Sequence, residues 1–152
     1  MSAFPGVCDA LLAAFKASAG LTGVSVYDGL QITQEFASDG VAVGHDGTVD
    51  DDDVNVGSVT AVYFTLGAKA RMEDGTVNCW LWSLDGGTDT TARRSRAFAL
   101  FAAVEAAVKA DPTLGGACLI ASVASADISL RQTTQGVAVL MPFTVTYQAR
   151  IV

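Results

Sequence analysis

Three features of the sequence predict an α+β domain: a largely antiparallel mixed β-sheet with two α-helices packed on it, in the order α-β-β-β-β-α-β-β. Two Ala-rich segments repeat apolar residues at helical spacing, and short runs of β-branched and aromatic residues lie between and after them. Most of these runs follow one another directly, separated by Gly and Asp turn signals, which favours antiparallel neighbours over a repeated βαβ pattern. The 152 residues suffice for one compact domain, taken as 1–152, and are too few for two typical ones. With 51% hydrophobic and 16% charged residues the chain has material for a core, and a domain of this length buries about 68–70% of its unfolded surface.

From Val7 to Ala19, Val7, Leu11, Leu12 and Phe15 mark one helical face, and Gly20 stands where a left-handed stop belongs. Val24 to Tyr27 alternates with period two and ends at Asp28-Gly29, so it reads as a half-buried strand and turn; Val41 to Gly44 is a second short strand. His45 to Gly57 holds the run Asp50-Asp51-Asp52-Asp53 and is expected to be an exposed acidic loop. Val59 to Leu66 and Val77 to Leu84 are expected to form an antiparallel pair linked through Glu73-Asp74-Gly75. After the turn-forming stretch 85–91, Ala92 to Ala110 runs without Gly or Pro and places Ala97, Phe101, Val104 and Val108 on one face, with Asp111-Pro112 closing it. Strands are expected at Ala117 to Val123 and, from a weaker signal, at Ile128 to Gln132. A long strand from Gly136 to Val152 is expected to bend at Pro142 or to lie at an edge because of it.

Nine Lys plus Arg against sixteen Asp plus Glu give a net charge of −7, which repels phosphate backbones and argues against tight nucleic-acid binding. Cys8, Cys79 and Cys118 are odd in number, widely spaced and set among apolar neighbours, as reduced structural thiols are. No apolar run approaches the roughly 18 residues of a membrane span, and the N-terminus lacks a basic start, so a soluble, unexported protein is expected. A mean hydropathy of +0.40 with so few charges points to self-association.

Chemistry-bearing constellations are sparse. His45, the one histidine, lies beside Asp46 in a polar loop and reads as an isolated surface residue without triad partners. No zinc spacing, phosphate-binding loop or dinucleotide fingerprint occurs, and Gly86-Gly87 before a helix is a plain turn more readily than an anion site. Asp50, Asp51, Asp52 and Asp53 offer clustered oxygens to a divalent cation but lack EF-hand spacing; solvation, or repulsion of DNA in a channel, explains them as well. Trp80 and Trp82 share a strand face, read first as core and second as a subunit contact. Arg93, Arg94 and Arg96 crowd the positive end of a helix dipole, which is locally unfavourable; a solvated helix start accounts for them, and so does a subunit interface in which they pair with a neighbour's aspartates, Asp50 to Asp53 among them.

The order of segments resembles a known family. A helix leading to Val24-Ser25-Val26-Tyr27-Asp28-Gly29, then Val41-Ala42-Val43-Gly44-His45-Asp46-Gly47, is similar to the tail terminator proteins of long-tailed phages. Ala97-Phe98-Ala99-Leu100, the helix exit Ala110 to Gly116 and the closing strand Phe143 to Arg150 extend the resemblance over nearly the whole chain. The acidic loop departs from it. The resemblance implies a hexameric ring that caps the last ring of tail tube protein, stops its growth and offers a docking surface to the head-completion protein of the neck, while DNA passes through the lumen unbound. It implies a non-enzymatic virion protein of the tail-neck junction, assembled in the host cytoplasm and needing no cofactor. Two other classes remain open: another head-tail connector, and a small-ligand-binding domain with its pocket between sheet and helix.

Overall fold

The computed structural model describes residues 1–29, 38–48, 53–63, 69–133 and 136–152. Helix α1 spans Phe4–Ala17 and is followed by β1 (Ser25–Asp28), β2 (Asp39–Val43), β3 (Gly57–Tyr63) and β4 (Arg71–Asp85). Helix α2 (Thr90–Ala110) leads to β5 (Ile120–Ala126), β6 (Ser129–Thr133) and β7 (Gly136–Ile151). The chain is thus an α+β domain in the expected order, the weak Ile128 to Gln132 signal supplying β6 as a seventh strand.

Helix α1 starts three residues before Val7 because Pro5 fits the first turn, where its missing N–H costs nothing. Gly20 is no left-handed stop; it belongs to a short turn of helix at Ala19–Leu21, where a Cβ would lie 2.8 Å from Ala103 Cβ of α2, and the positive φ of 79° falls on Gly23. Helix α2 is capped by the Asp89 carboxylate, which accepts from Ala92 N–H at 3.0 Å. It buries Ala97, Leu100, Val104 and Val108, while Phe101 lies half-buried, edge-on to Phe143 at 5.9 Å.

The sheet is built on β4 and β7, antiparallel over the whole of β4 from Arg71↔Ile151 to Asp85↔Val137. On the outer side of β4, β3 pairs with Arg71 to Val77 and β2 with Cys79 to Ser83, and β1 joins β2 in parallel. On the outer side of β7, β5 and β6 pair in succession. Glu73-Asp74-Gly75 is no hairpin link but the interior of β4, paired with β3 on one side and β7 on the other. Pro142 lies in a central strand, neither bent out nor at an edge. It sits where β7 changes partner from β5 to β6, and its carbonyl accepts from Asp127 N–H on that side, so no regular ladder bond needs the donor it lacks.

Side chains alternate across β4 and β7 in phase. Val77, Cys79 and Leu81 with Val139, Met141, Phe143, Val145 and Tyr147 face the helices and form the main core. The opposite face splits in two. Toward the Asp85 end, Trp80, Trp82 and Ala42 form a second buried cluster, with Tyr27, Leu84 and Leu140 packed on it, which bears out the core reading of the tryptophans. Toward the Arg71 end the open face carries rows of hydroxyls and then Val62, Met72 and Arg150.

Candidate functional site

The arginines at the start of α2 find partners inside the chain. Arg93 Nη1 donates to Ser83 Oγ at 3.1 Å, Ser83 Oγ donates to Asp39 Oδ1 at 2.7 Å, and Arg96 Nε donates to Asp39 Oδ2 at 3.1 Å. Arg93 Nε also lies 3.5 Å from Asp85 Oδ2. Strand ends of β2 and β4 therefore supply the carboxylates that the crowded helix start requires. Pairing with a neighbour's aspartates is not needed to explain Arg93 and Arg96, and only Arg94 of the three is exposed. Of the acidic run, Asp53 is exposed, and Asp50, Asp51 and Asp52 lie outside the described residues.

The base of the acidic loop is closed by specific bonds. Asp46 accepts from Thr48 N–H at 2.9 Å and Asn55 N–H at 3.1 Å, and Asn78 Nδ2 donates to Asn55 O at 2.9 Å. Burial raises the Asp46 carboxyl, but these hydrogen bonds outweigh it and hold it below its ordinary value. His45 is not a surface residue: it is 3% exposed, its ring stacks on Trp80 at 4.9 Å, and Nδ1 accepts from Gly47 N–H at 2.8 Å. Local composition hid this, because the covering residue lies on β4.

Burial holds the His45 imidazole below its ordinary 6.5, against the pull of Asp46. The unfolded chain then takes up this proton at a higher pH than the folded one. Its contribution to stability is full above about pH 6.5 and is lost as pH falls toward the folded value. Urea midpoints measured from pH 7.5 to 5.5 are expected to fall more for the wild type than for His45→Phe, and equal falls would remove His45 as the cause.

A third cluster was invisible to the sequence reading. Glu73, fully buried, accepts at Oε1 from Ser2 Oγ (2.9 Å), Ala3 N–H (2.9 Å) and Tyr147 Oη (2.8 Å). A carboxylate from the middle of the sheet thus caps α1, whose own N-cap residue Ala3 has no capping side chain. Burial, then the bond to Glu73, pushes the Tyr147 phenol well above its usual range. Tyr147 reaches Glu73 because its cross-strand partner is Gly75: a Cβ there would lie 2.2 Å from two of its ring carbons. The available signal was phase, since Glu73 is in step with Val77, Cys79 and Leu81 once β4 is extended backward.

On the open face, one row of hydroxyls crosses four strands, Ser58↔Thr76↔Thr146↔Ser122, and a second row runs Thr60↔Asp74↔Gln148↔Ile120. They line a shallow hollow of about 420 Å³. Asp74 is its one charged side chain, so the hollow offers hydrogen bonds and no cation for a phosphate. Among the described residues no group of three or more His, Cys, Asp or Glu is placed to hold a metal ion, and no helix is long and apolar enough to cross a membrane. No family model matches the chain, and no curated protein matches its sequence.

Proposed function

We propose that the chain is a structural assembly subunit of the tail terminator class: a ring, hexameric on the resemblance, that caps the tail tube, halts its growth and presents a surface to the neck. The observation that carries this reading is the division of the sheet into two faces. Both helices cover one face, while the other, over β3, β4, β7 and β5, is left open by the described residues and holds a hollow lined mainly by hydroxyls, with one acidic and no basic side chain, bordered by the row Val62, Met72 and Arg150. Turned inward in a ring, the hollow offers passing DNA no cation to pair with. The order of elements and the closing strand, which carry the sequence resemblance, support the same reading.

Light scattering across a concentration range, followed by addition to polymerising tube protein, tests it. A mass near six subunits and arrest of tube growth at substoichiometric amounts are the expected results. A chain that stays monomeric and leaves tube length unchanged defeats the reading. The arginine cluster can be divided in the same assay. Arg94→Glu is expected to change stability by less than about 0.5 kcal/mol, as exposed sites do, and to weaken ring formation. Arg93→Glu, which sets a carboxylate beside Asp85 and Ser83, is expected to destabilise the fold itself by about 1–3 kcal/mol. If Arg94→Glu alters neither mass nor capping, Arg94 is not at the interface.

A further inference from the structure

We propose that β3 pairs with β3 of a second copy of the chain, antiparallel about a two-fold axis through Thr60, so that two sheets become one. This goes beyond the ring reading and does not rest on it.

The first ground is that β3 is undefended. From Ser58 to Tyr63 every residue is exposed, with Val59 at 45%, Val62 at 50% and Tyr63 at 61%. The strand contains no Asp, Glu, Lys, Arg or His, no proline and no bulge, the devices that ordinarily keep an edge from pairing. Of its outward groups only the Gly57 N–H, which donates to Asn55 Oδ1 at 3.1 Å, has a partner among the described residues; those of Val59, Ala61 and Tyr63 have none. The other edges are blocked. Ala121 N–H of β5 already donates to Pro112 O at 2.7 Å, and the register of β5 shifts between Val123 and Ser125. Strand β6 carries Arg131, and β1 is four residues long and ends in Asp28. In a chain of net charge −7, an uncharged edge is also where two copies approach at least electrostatic cost.

The second ground is that the strand complements itself. Folded about Thr60, its seven residues pair as Gly57↔Tyr63, Ser58↔Val62, Val59↔Ala61 and Thr60↔Thr60, each on its proper face. The outermost pair lays an aromatic ring over a glycine on the neighbouring strand. The fold uses that arrangement twice within one chain, Tyr147 over Gly75 and Trp82 over Gly40. Gly57 is hemmed by the Phe4 ring, whose atoms lie 2.7 and 2.8 Å from where a Cβ would stand. Tyr63 of the partner subunit therefore lands beside Phe4, with no side chain on Gly57 in its way. Both copies gain this contact at once, as a two-fold interface requires.

The test is a single cysteine on the axis. Residues opposed in an antiparallel pair lie about 4.5 or 5.5 Å apart at Cα, within disulfide reach. Thr60→Cys is expected to give a disulfide-linked dimer under mild oxidation. The wild type is expected to give none, because Cys79 and Cys118 are buried and burial, with Asp28 and Asp9 nearby, pushes the Cys8 thiol up to about 11. Thr60→Lys and Thr60→Glu, each placing like charges face to face, are expected to weaken dimerisation about tenfold or more. An equimolar mixture of the two should restore it, which a contact elsewhere would not do. Absence of the Thr60→Cys dimer, or failure of the mixture to recover, overturns the pairing. A six-subunit mass without the disulfide overturns it and leaves the ring reading standing, whereas disulfide dimers with a mass that never exceeds two subunits support it and tell against the ring.

Discussion

Glu73→Ala is expected to lower the stability of the protein by about 3–4 kcal/mol, the range for breaking a buried charged hydrogen-bond centre. Three donors, Ser2 Oγ, Ala3 N–H and Tyr147 Oη, converge on one oxygen of a side chain that no solvent reaches. Removing it leaves the Tyr147 hydroxyl and the Ala3 amide at the N-cap of α1 without their acceptor, and opens a void between α1 and β4. At roughly 2–4 °C per kcal/mol for a chain of this length, the midpoint of thermal unfolding falls by about 6–16 °C. Glu73→Gln keeps an acceptor at Oε1 but loses the charge facing the helix dipole, and its new amide meets the site where Oε2 has no partner among the described residues. A cost of about 1–2 kcal/mol is expected for it. Urea unfolding at pH 7 separates the two, and a loss below 1 kcal/mol for Glu73→Ala would show that α1 is held by Val7, Leu11 and Phe15 alone.

Periodicity made most of this fold legible. The helical faces of α1 and α2, the strand character of β1, β2, β5 and β7 and the shared face of Trp80 and Trp82 follow from spacing, because one face of each element meets one core. What failed was local punctuation read without its partner. Glu73-Asp74-Gly75 has the composition of a turn, yet Gly75 is small so that Tyr147 can cross it, and Glu73 is charged so that it can end a helix some seventy residues earlier in the chain. The polar neighbours of His45 point to the surface, and Trp80 buries it from another strand. The arginines lacked a local reason because their carboxylates, Asp39 and Asp85, stand at the ends of two strands that only the sheet brings together. The candidate surfaces were the least legible, since the exposure of β3 depends on what the rest of the sheet leaves uncovered.

The same dependence on a cross-strand partner makes Gly40→Ala the second large effect. An Ala for Gly change inside a strand ordinarily stabilises by about 0.5–1 kcal/mol, and here the sign is expected to reverse. Gly40 pairs with Trp82, and three atoms of the indole lie 2.1, 2.5 and 2.7 Å from where the Cβ would stand. The ring cannot swing away freely. It is 2% exposed, stacked on Tyr27 at 5.6 Å and 9°, and set against Trp80 at 4.7 Å, which in turn carries His45. Displacing it disturbs four rings and the Gly47 contact at the base of the acidic loop, so a loss of about 2–3 kcal/mol is expected, the upper part of the overpacking range. The near-UV circular dichroism of the tryptophans should change with it. A double variant decides whether the clash is the cause. Trp82→Leu alone is expected to cost about 2–3 kcal/mol of buried area and packing, but Gly40→Ala added to it should cost little further, because the obstructing ring is gone. A coupling of about 2 kcal/mol between the two positions is the expected signature, and additive losses would mean that the backbone at Gly40, not the indole above it, sets the requirement for glycine.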